Sequence, residues 1–146
     1  MFSSSLFNQD TFYKSFIKDL KNASNLVLIE SPFITEKRLV LFIPVFEKLI
    51  KRGVRIIINT KPSEEHNPLL YDQVLWAVGE MQNIGAEVFM TVGHHRKLAI
   101  IDGSILWEGS LNILSQYDSC EVMRRITGDE IVADMLSHIR FKKWSK

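Results

Sequence analysis

The sequence has only one cysteine, Cys120, in 146 residues, so it can form no internal disulfide and offers no cysteine-rich zinc cluster. That usage fits a reducing interior, and a cytoplasmic location is expected. An excess of either charge is also missing, with Lys plus Arg at 18 against Asp plus Glu at 17, a formal charge of +1. Such a balance gives no global pull on nucleic acid or an anionic membrane, so any polyanion must be gripped locally. Apolar runs stop short of the ~18 residues that a membrane span requires. The opening Met1-Phe2-Ser3-Ser4-Ser5-Leu6-Phe7-Asn8 has neither a basic flank nor a long apolar stretch, and it does not read as a signal peptide. What is present is an ordinary globular balance, 46% hydrophobic and 24% charged, which leaves out disorder, collagen-like repeats and coiled coil. The length is that of one domain, 1–146, and no internal repeat is visible.

Apolar spacing over Asp10 to Lys21 predicts an amphipathic N-terminal helix, at about residues 10–23. Leu26-Val27-Leu28-Ile29 reads as a strand buried on both faces and ended by Ser31-Pro32. Thr35 then caps a helical stretch to Arg52, in which Pro44 predicts a kink or two shorter helices. A second buried strand, Val54 to Asn59, follows Gly53. A helix from Leu69 to Ile84 and a third strand, Ala86 to Val92, complete two strand–helix–strand units. Those units predict an α/β fold with a parallel sheet and right-handed crossovers. Three further short strands, Lys97 to Ile101, Ile105 to Glu108 and Glu121 to Thr127, come next, the first two joined at a hairpin signal, Asp102-Gly103. Asp129 to Trp144 reads as a closing amphipathic helix.

The chemistry concentrates between His94 and Glu121. Residues two apart in a strand share a face, so His95 and Lys97 are expected to project together, an imidazole beside a fixed ammonium. That pairing suits a phosphate, because the lysine neutralises the anion while the histidine attacks phosphorus or moves a proton. Ser110 and Asn112 repeat the spacing after a neighbouring strand.

His95-x-Lys97, four residues, Asp102, six residues and Gly109-Ser110-x-Asn112 resemble the signature of the phospholipase D superfamily, whose members cleave or transfer phosphodiesters. Glu30-Ser31-Pro32-Phe33, Arg52-Gly53-Val54 and Glu121-Val122-Met123 extend the likeness to the single-motif members often attached to helicases and other nucleic-acid ATPases. The resemblance implies a phospholipase D-like sandwich, a mixed, mostly parallel central sheet with helices on both faces. It implies His95 as a nucleophile that forms a phosphohistidine, Lys97 and Asn112 as holders of the non-bridging oxygens, and Ser110 as a shaper of the loop. Asp102 is implied as a backbone anchor near the turn, and Glu121 as the carboxylate that orients the imidazole, across a somewhat short loop, Ile113 to Cys120. No metal and no other cofactor are implied.

Such chemistry uses two histidines, and the chain carries one motif. A homodimer with both His95 residues facing one phosphate is the economical solution. The leading reading is therefore a metal-independent phosphodiesterase, a nuclease on DNA more than RNA. The alternative is a weakly catalytic or non-catalytic nucleic-acid-binding module that serves a helicase or ATPase, and a lipid phosphodiesterase ranks third because no anchor or membrane-binding helix is visible. Other residues have plainer readings. His94 is second to the motif or faces substrate, and a metal pair with His95 is disfavoured because adjacent strand residues point apart. His66 and His138 read as surface residues, Cys120 as a small buried group, and Trp76, Trp107 and Trp144 as core or interface. Arg124-Arg125 and Arg140 with Lys142, Lys143 and Lys146 read as solvated, with tracking of a phosphate backbone as their functional alternative.

Overall fold

The computed structural model describes residues 3–115 and 118–146, so the first two residues and the middle of the Ile113 to Cys120 loop lie outside the description. In chain order the elements are β1 (Ser3–Asn8), α1 (Phe12–Lys21), β2 (Leu26–Glu30), α2 (Glu36–Lys51) and β3 (Arg55–Thr60). Two short 3-10 turns, Ser63–Glu65 and Pro68–Leu70, lead into α3 (Tyr71–Asn83). The chain continues as β4 (Glu87–Met90), β5 (Leu98–Ile101), β6 (Ile105–Gly109), β7 (Val122–Thr127), α4 (Asp129–His138) and α5 (Phe141–Trp144).

All seven strands join one sheet in the order β1-β7-β6-β5-β2-β3-β4. The apolar alternation of β2 explains its place near the middle. Val27 and Ile29 face one helical layer while Leu28 faces the other, and all three are fully buried. On the first face Phe12, Phe16 and Leu20 of α1, Phe42 and Phe46 of α2 and Ala77 and Met81 of α3 cover Ile56, Ile58, Ala99 and Trp107. On the second, Val132 of α4, the following Ile139, and Phe141 and Trp144 of α5 cover Ile57, Ile100, Leu106 and Ile126. Helices thus lie on both faces, as the α/β reading requires.

The expectation of a mostly parallel sheet needs correction. Only β2·β3 and β3·β4 are parallel, whereas β1·β7, β2·β5, β5·β6 and β6·β7 are antiparallel. The reason is connection length: β5 and β6 are joined by a tight turn that cannot return a chain to parallel register. Asp102 and Gly103 both take positive φ there, 54° and 66°, and Ser104 N donates to Ile101 O at 3.1 Å.

Other local expectations also change. β1 has no counterpart in the sequence reading, because Ser3-Ser4-Ser5 lacks apolar alternation; it is an exposed edge strand whose order comes from pairing with β7. The N-terminal helix is shorter than 10–23 and starts at Phe12. Pro44 does not divide α2, which runs unbroken from Glu36 to Lys51. Pro44 is exposed, and the carbonyl that loses its partner belongs to Val40, also exposed, where water can satisfy it. The closing helix does break, at Arg140, whose φ of 55° is left-handed.

The first helical layer is tied to the sheet by one buried carboxylate. Asp19 of α1 accepts from Trp107 Nε1 at 2.8 Å and from Arg125 Nε and Nη2 at 2.8 and 3.0 Å. Arg125 is thereby a structural residue, and Trp107 is core, stacked edge-on against Phe12 and Phe16.

Candidate active site

The carboxyl ends of β1, β2, β3, β4 and β6 and the amino ends of β5 and β7 meet at one edge of the sheet, since Leu98 pairs with Glu30 and Gly109 with Met123. Ligands of open α/β sheets gather at such ends. His95, Arg96 and Lys97 lie immediately before β5 at this edge. The alternation expected of a strand persists through them. His94 and Arg96 both turn to Glu30, while Lys97 Nζ donates to the His95 carbonyl at 2.8 Å and His95 is exposed.

Glu30 is the part of this edge that the sequence reading missed as a contributor. It is fully buried at the end of β2, accepts from Arg96 Nε and Nη2 at 2.9 and 3.1 Å, and receives Asn59 Nδ2 at 3.5 Å. Burial pushes its pKa up, and the Arg96 guanidinium partly opposes that. His94 Nε2 sits 3.2 Å from the same carboxylate without a directed hydrogen bond. Burial, with Arg96 and Lys97 nearby, lowers the His94 pKa to about 4, so its ring is neutral at pH 7 and the contact is not an ion pair. The available signal was a carboxylate ending an otherwise apolar run, although nothing local announces its partner 66 residues on.

Ser110 and Asn112 arrive on the turn after β6. Gly109 makes this possible, because a Cβ there would lie 2.1 Å from Val122 O and 2.9 Å from Met123 Cα. With no side chain, β6 closes on β7 and Ser110 pairs with Val122: its amide donates to Val122 O at 2.9 Å, and its Oγ accepts from Val122 N at 3.0 Å. Ser110 therefore shapes the loop by direct bonds. Asn112 Oδ1 is buried and has no partner among the described residues. Glu121 lines the same hollow as Asn112. Its Oε1 accepts from Ser119 Oγ at 2.9 Å, and its charge acts on Lys97, whose pKa is lowered by burial and raised in part by Glu121.

His95, Lys97, Ser110, Asn112 and Glu121 thus share one edge. Asp102 does not, for it follows the other end of β5, roughly 16 Å from Lys97 at 3.3 Å per residue. Its carboxylate accepts from the amides of Ser24, Asn25 and Leu26 at 2.9, 2.8 and 3.0 Å and clamps the entrance to β2. These bonds hold its pKa below the ordinary carboxylate value despite partial burial. A wider groove of about 520 Å³ is lined by Lys97 together with Leu6, Leu98, Val122, Arg124 and His138.

Two plainer expectations are overturned. His66 is buried, with its Nε2 3.2 Å from the Lys61 carbonyl and its ring edge-on to Phe33, because the polar loop folds back beneath the site edge. Cys120 is exposed, since it belongs to the turn before β7 and not to the core.

The comparisons place this geometry in a family. Residues 16–142 match the family described as cardiolipin synthase, PLD-like domain, and the chain belongs to the phospholipase D superfamily. Among solved structures, Nuc from Salmonella typhimurium, a phospholipase D family member, superimposes with a TM-score of 0.76 at 15% identity, over 94% of this chain and 91% of that one. NucT from Helicobacter pylori gives 0.71 at 20% identity, over 99% and 96%. TrmBL2, an archaeal chromatin protein with a novel mode of DNA binding, gives 0.64 at 16% identity, over 97% of this chain and 52% of that one. No curated protein matches the sequence. No helix among the described residues is long and apolar enough to cross a membrane.

Proposed function

We propose that the chain is a metal-independent phosphodiesterase, acting as a nuclease on DNA in preference to RNA. The observation that carries the reading is the convergence of exposed His95, the half-buried Lys97, Asn112 and Glu121 at one sheet edge, with Lys97 bonded to the backbone of His95. Lys97 and Asn112 suit the non-bridging oxygens of a phosphodiester, and His95 supplies the nucleophile. A His95 ring nitrogen attacks phosphorus, the bond to the leaving oxygen breaks, and that oxygen takes a proton from a second imidazole. Water then displaces His95 from phosphorus and gives its proton to the second imidazole, which restores both. Glu121 is the carboxylate that orients the His95 imidazole, and its charge also acts on Lys97.

The second imidazole is supplied by His95 of another copy in a two-fold dimer. His94 and His66 are buried, and His138, which lines the wider groove together with Lys97, belongs to no phosphate-binding motif. We place the enzyme in the cytoplasm, in accord with its single free thiol. TrmBL2 favours DNA as the polymer. Its DNA binding is equally compatible with the second reading, a nucleic-acid-binding module, whose helicase or ATPase partner is part of the proposal alone.

Hydrolysis of an activated phosphodiester and of single-stranded DNA in excess chelator tests the first reading, because an imidazole nucleophile requires no metal hydroxide. Cleavage that survives chelation and disappears in His95→Ala is the expected result. Activity lost to chelator and restored by magnesium overturns it. DNA binding that is unchanged in His95→Ala, with no cleavage by either protein, establishes the module instead.

A further inference from the structure

Beside the catalytic edge lies a hollow of about 40 Å³ whose lining residues include Arg38, Asn112 and Ser115, each with one buried polar atom that has no partner among the described residues: Arg38 Nε, Asn112 Oδ1 and Ser115 Oγ. Ser115 as a whole is only 4% exposed, so its hydroxyl is not left for bulk water. Orphaned polar atoms are costly, and three around one space point to an absent polar occupant.

The walls are fixed by the fold. Arg38, in the first turn of α2, lies with its guanidinium carbon 3.7 Å from the centroid of the Tyr13 ring. The Tyr13 hydroxyl donates to the carbonyls of Ile113 at 2.8 Å and Ser115 at 3.3 Å, which holds the loop that follows Asn112. Thr35 N donates to Leu114 O at 2.9 Å, and Leu114 N to Ser31 Oγ at 3.1 Å, locking that loop to the start of α2.

Chemistry and size select the occupant. Arg38 Nε can only donate and Ser115 can donate, while the Asn112 amide nitrogen stays with the scissile phosphate. A group rich in acceptors is therefore preferred, and a guanidinium beside it makes that group anionic. Glu121 also lines the hollow, but its charge is opposed by Lys97. The space admits phosphoryl oxygens and is too small for a nucleobase. Because Asn112 borders both the hollow and the catalytic edge, the occupant sits next to the scissile group.

We propose that this hollow is a subsite for the phosphate that neighbours the scissile one on a nucleic-acid strand, gripped by Arg38 and Ser115. The proposal rests on the nuclease reading and adds to it a preference for substrates with at least two successive phosphates.

The test compares wild type, Arg38→Gln and Ser115→Ala on bis(p-nitrophenyl) phosphate and on a labelled single-stranded oligonucleotide, with folding checked by thermal melts. The loss in kcat/KM on the oligonucleotide is expected to exceed that on the small diester by about ten-fold, the worth of one charge-assisted hydrogen bond, and to appear mainly in KM. The salt dependence of oligonucleotide binding should fall in slope by about 0.7 in Arg38→Gln, one phosphate fewer. Equal losses on both substrates overturn the proposal by moving Arg38 to the scissile phosphate or to folding. No change in either substrate also overturns it, leaving a hollow that holds water alone. If wild type cleaves neither substrate, the nuclease reading fails, and the binding slope still decides the subsite: an unaltered slope sinks it. Should Arg38→Gln unfold, Ser115→Ala carries the same substrate comparison.

Discussion

Lys97 and Asn112 each bring one polar group to the catalytic edge, and neither is a core packing residue. Lys97→Ala and Asn112→Ala should therefore abolish turnover while moving the unfolding free energy by no more than about 1 kcal/mol, a combination read from kcat beside a denaturant titration. Glu121→Gln should reduce the rate less than His95→Ala, since it removes a charge facing Lys97 and leaves the nucleophile in place. Full activity in a folded Glu121→Gln protein would remove Glu121 from the site. His94 yields a pH prediction of definite sign. Its folded pKa of about 4 lies below the ordinary 6.5, so the folded state favours the neutral ring. The stability it contributes is complete above pH 6.5 and is lost as pH falls from 6.5 toward 4, a span worth about 3 kcal/mol. Buried Glu30, whose pKa is raised, works in the opposite direction at the acid end. Melting temperature should consequently fall more steeply from pH 7 to pH 5 in wild type than in His94→Asn. Parallel curves would show that His94 titrates like a solvated histidine.

At the scale of elements, two short-range devices set the site, and both are open to substitution. Gly109→Ala forces a Cβ against Val122 O, so the closure of β6 on β7 must open and take the Ser110–Val122 pairing with it. A loss of more than about 2 kcal/mol, with activity falling alongside, is expected from paired melts and rate measurements. Asp102→Ala removes the acceptor of three amides at the start of β2 and should cost roughly 2–3 kcal/mol, seen first in the unfolding midpoint. The elements that could be read in the sequence are those whose signal is local. The apolar runs of β2 and β3, the Thr35 cap and the Asp102-Gly103 turn each carry their cause within a few residues. β1 could not be read, because its serines become a strand only against β7, and the direction of β5 to β7 depends on which edge of β2 receives them. The site divides in the same way. Its motif residues stand at fixed spacing around short strands, whereas Glu30, Arg38 and Tyr13 join it from 66 to 100 residues away along the chain.

For the whole molecule, the decisive property is that the proposed chemistry uses an imidazole pair while the catalytic edge of one chain exposes a single motif histidine, His95. If each dimer holds one active site built from both copies of His95, activity depends on pairing and not on the number of intact chains. The identical residues must then hold different protonation states, which repulsion between two imidazolium charges at close range enforces. Mixing equal amounts of wild-type and His95→Ala chains, with subunit exchange verified by mass tagging, measures this directly. Random pairing makes about a quarter of the dimers wild type on both sides, so activity per total dimer should fall to about a quarter of the unmixed wild-type value. A value near one half, after exchange is complete, would contradict the account by showing a site complete within each chain.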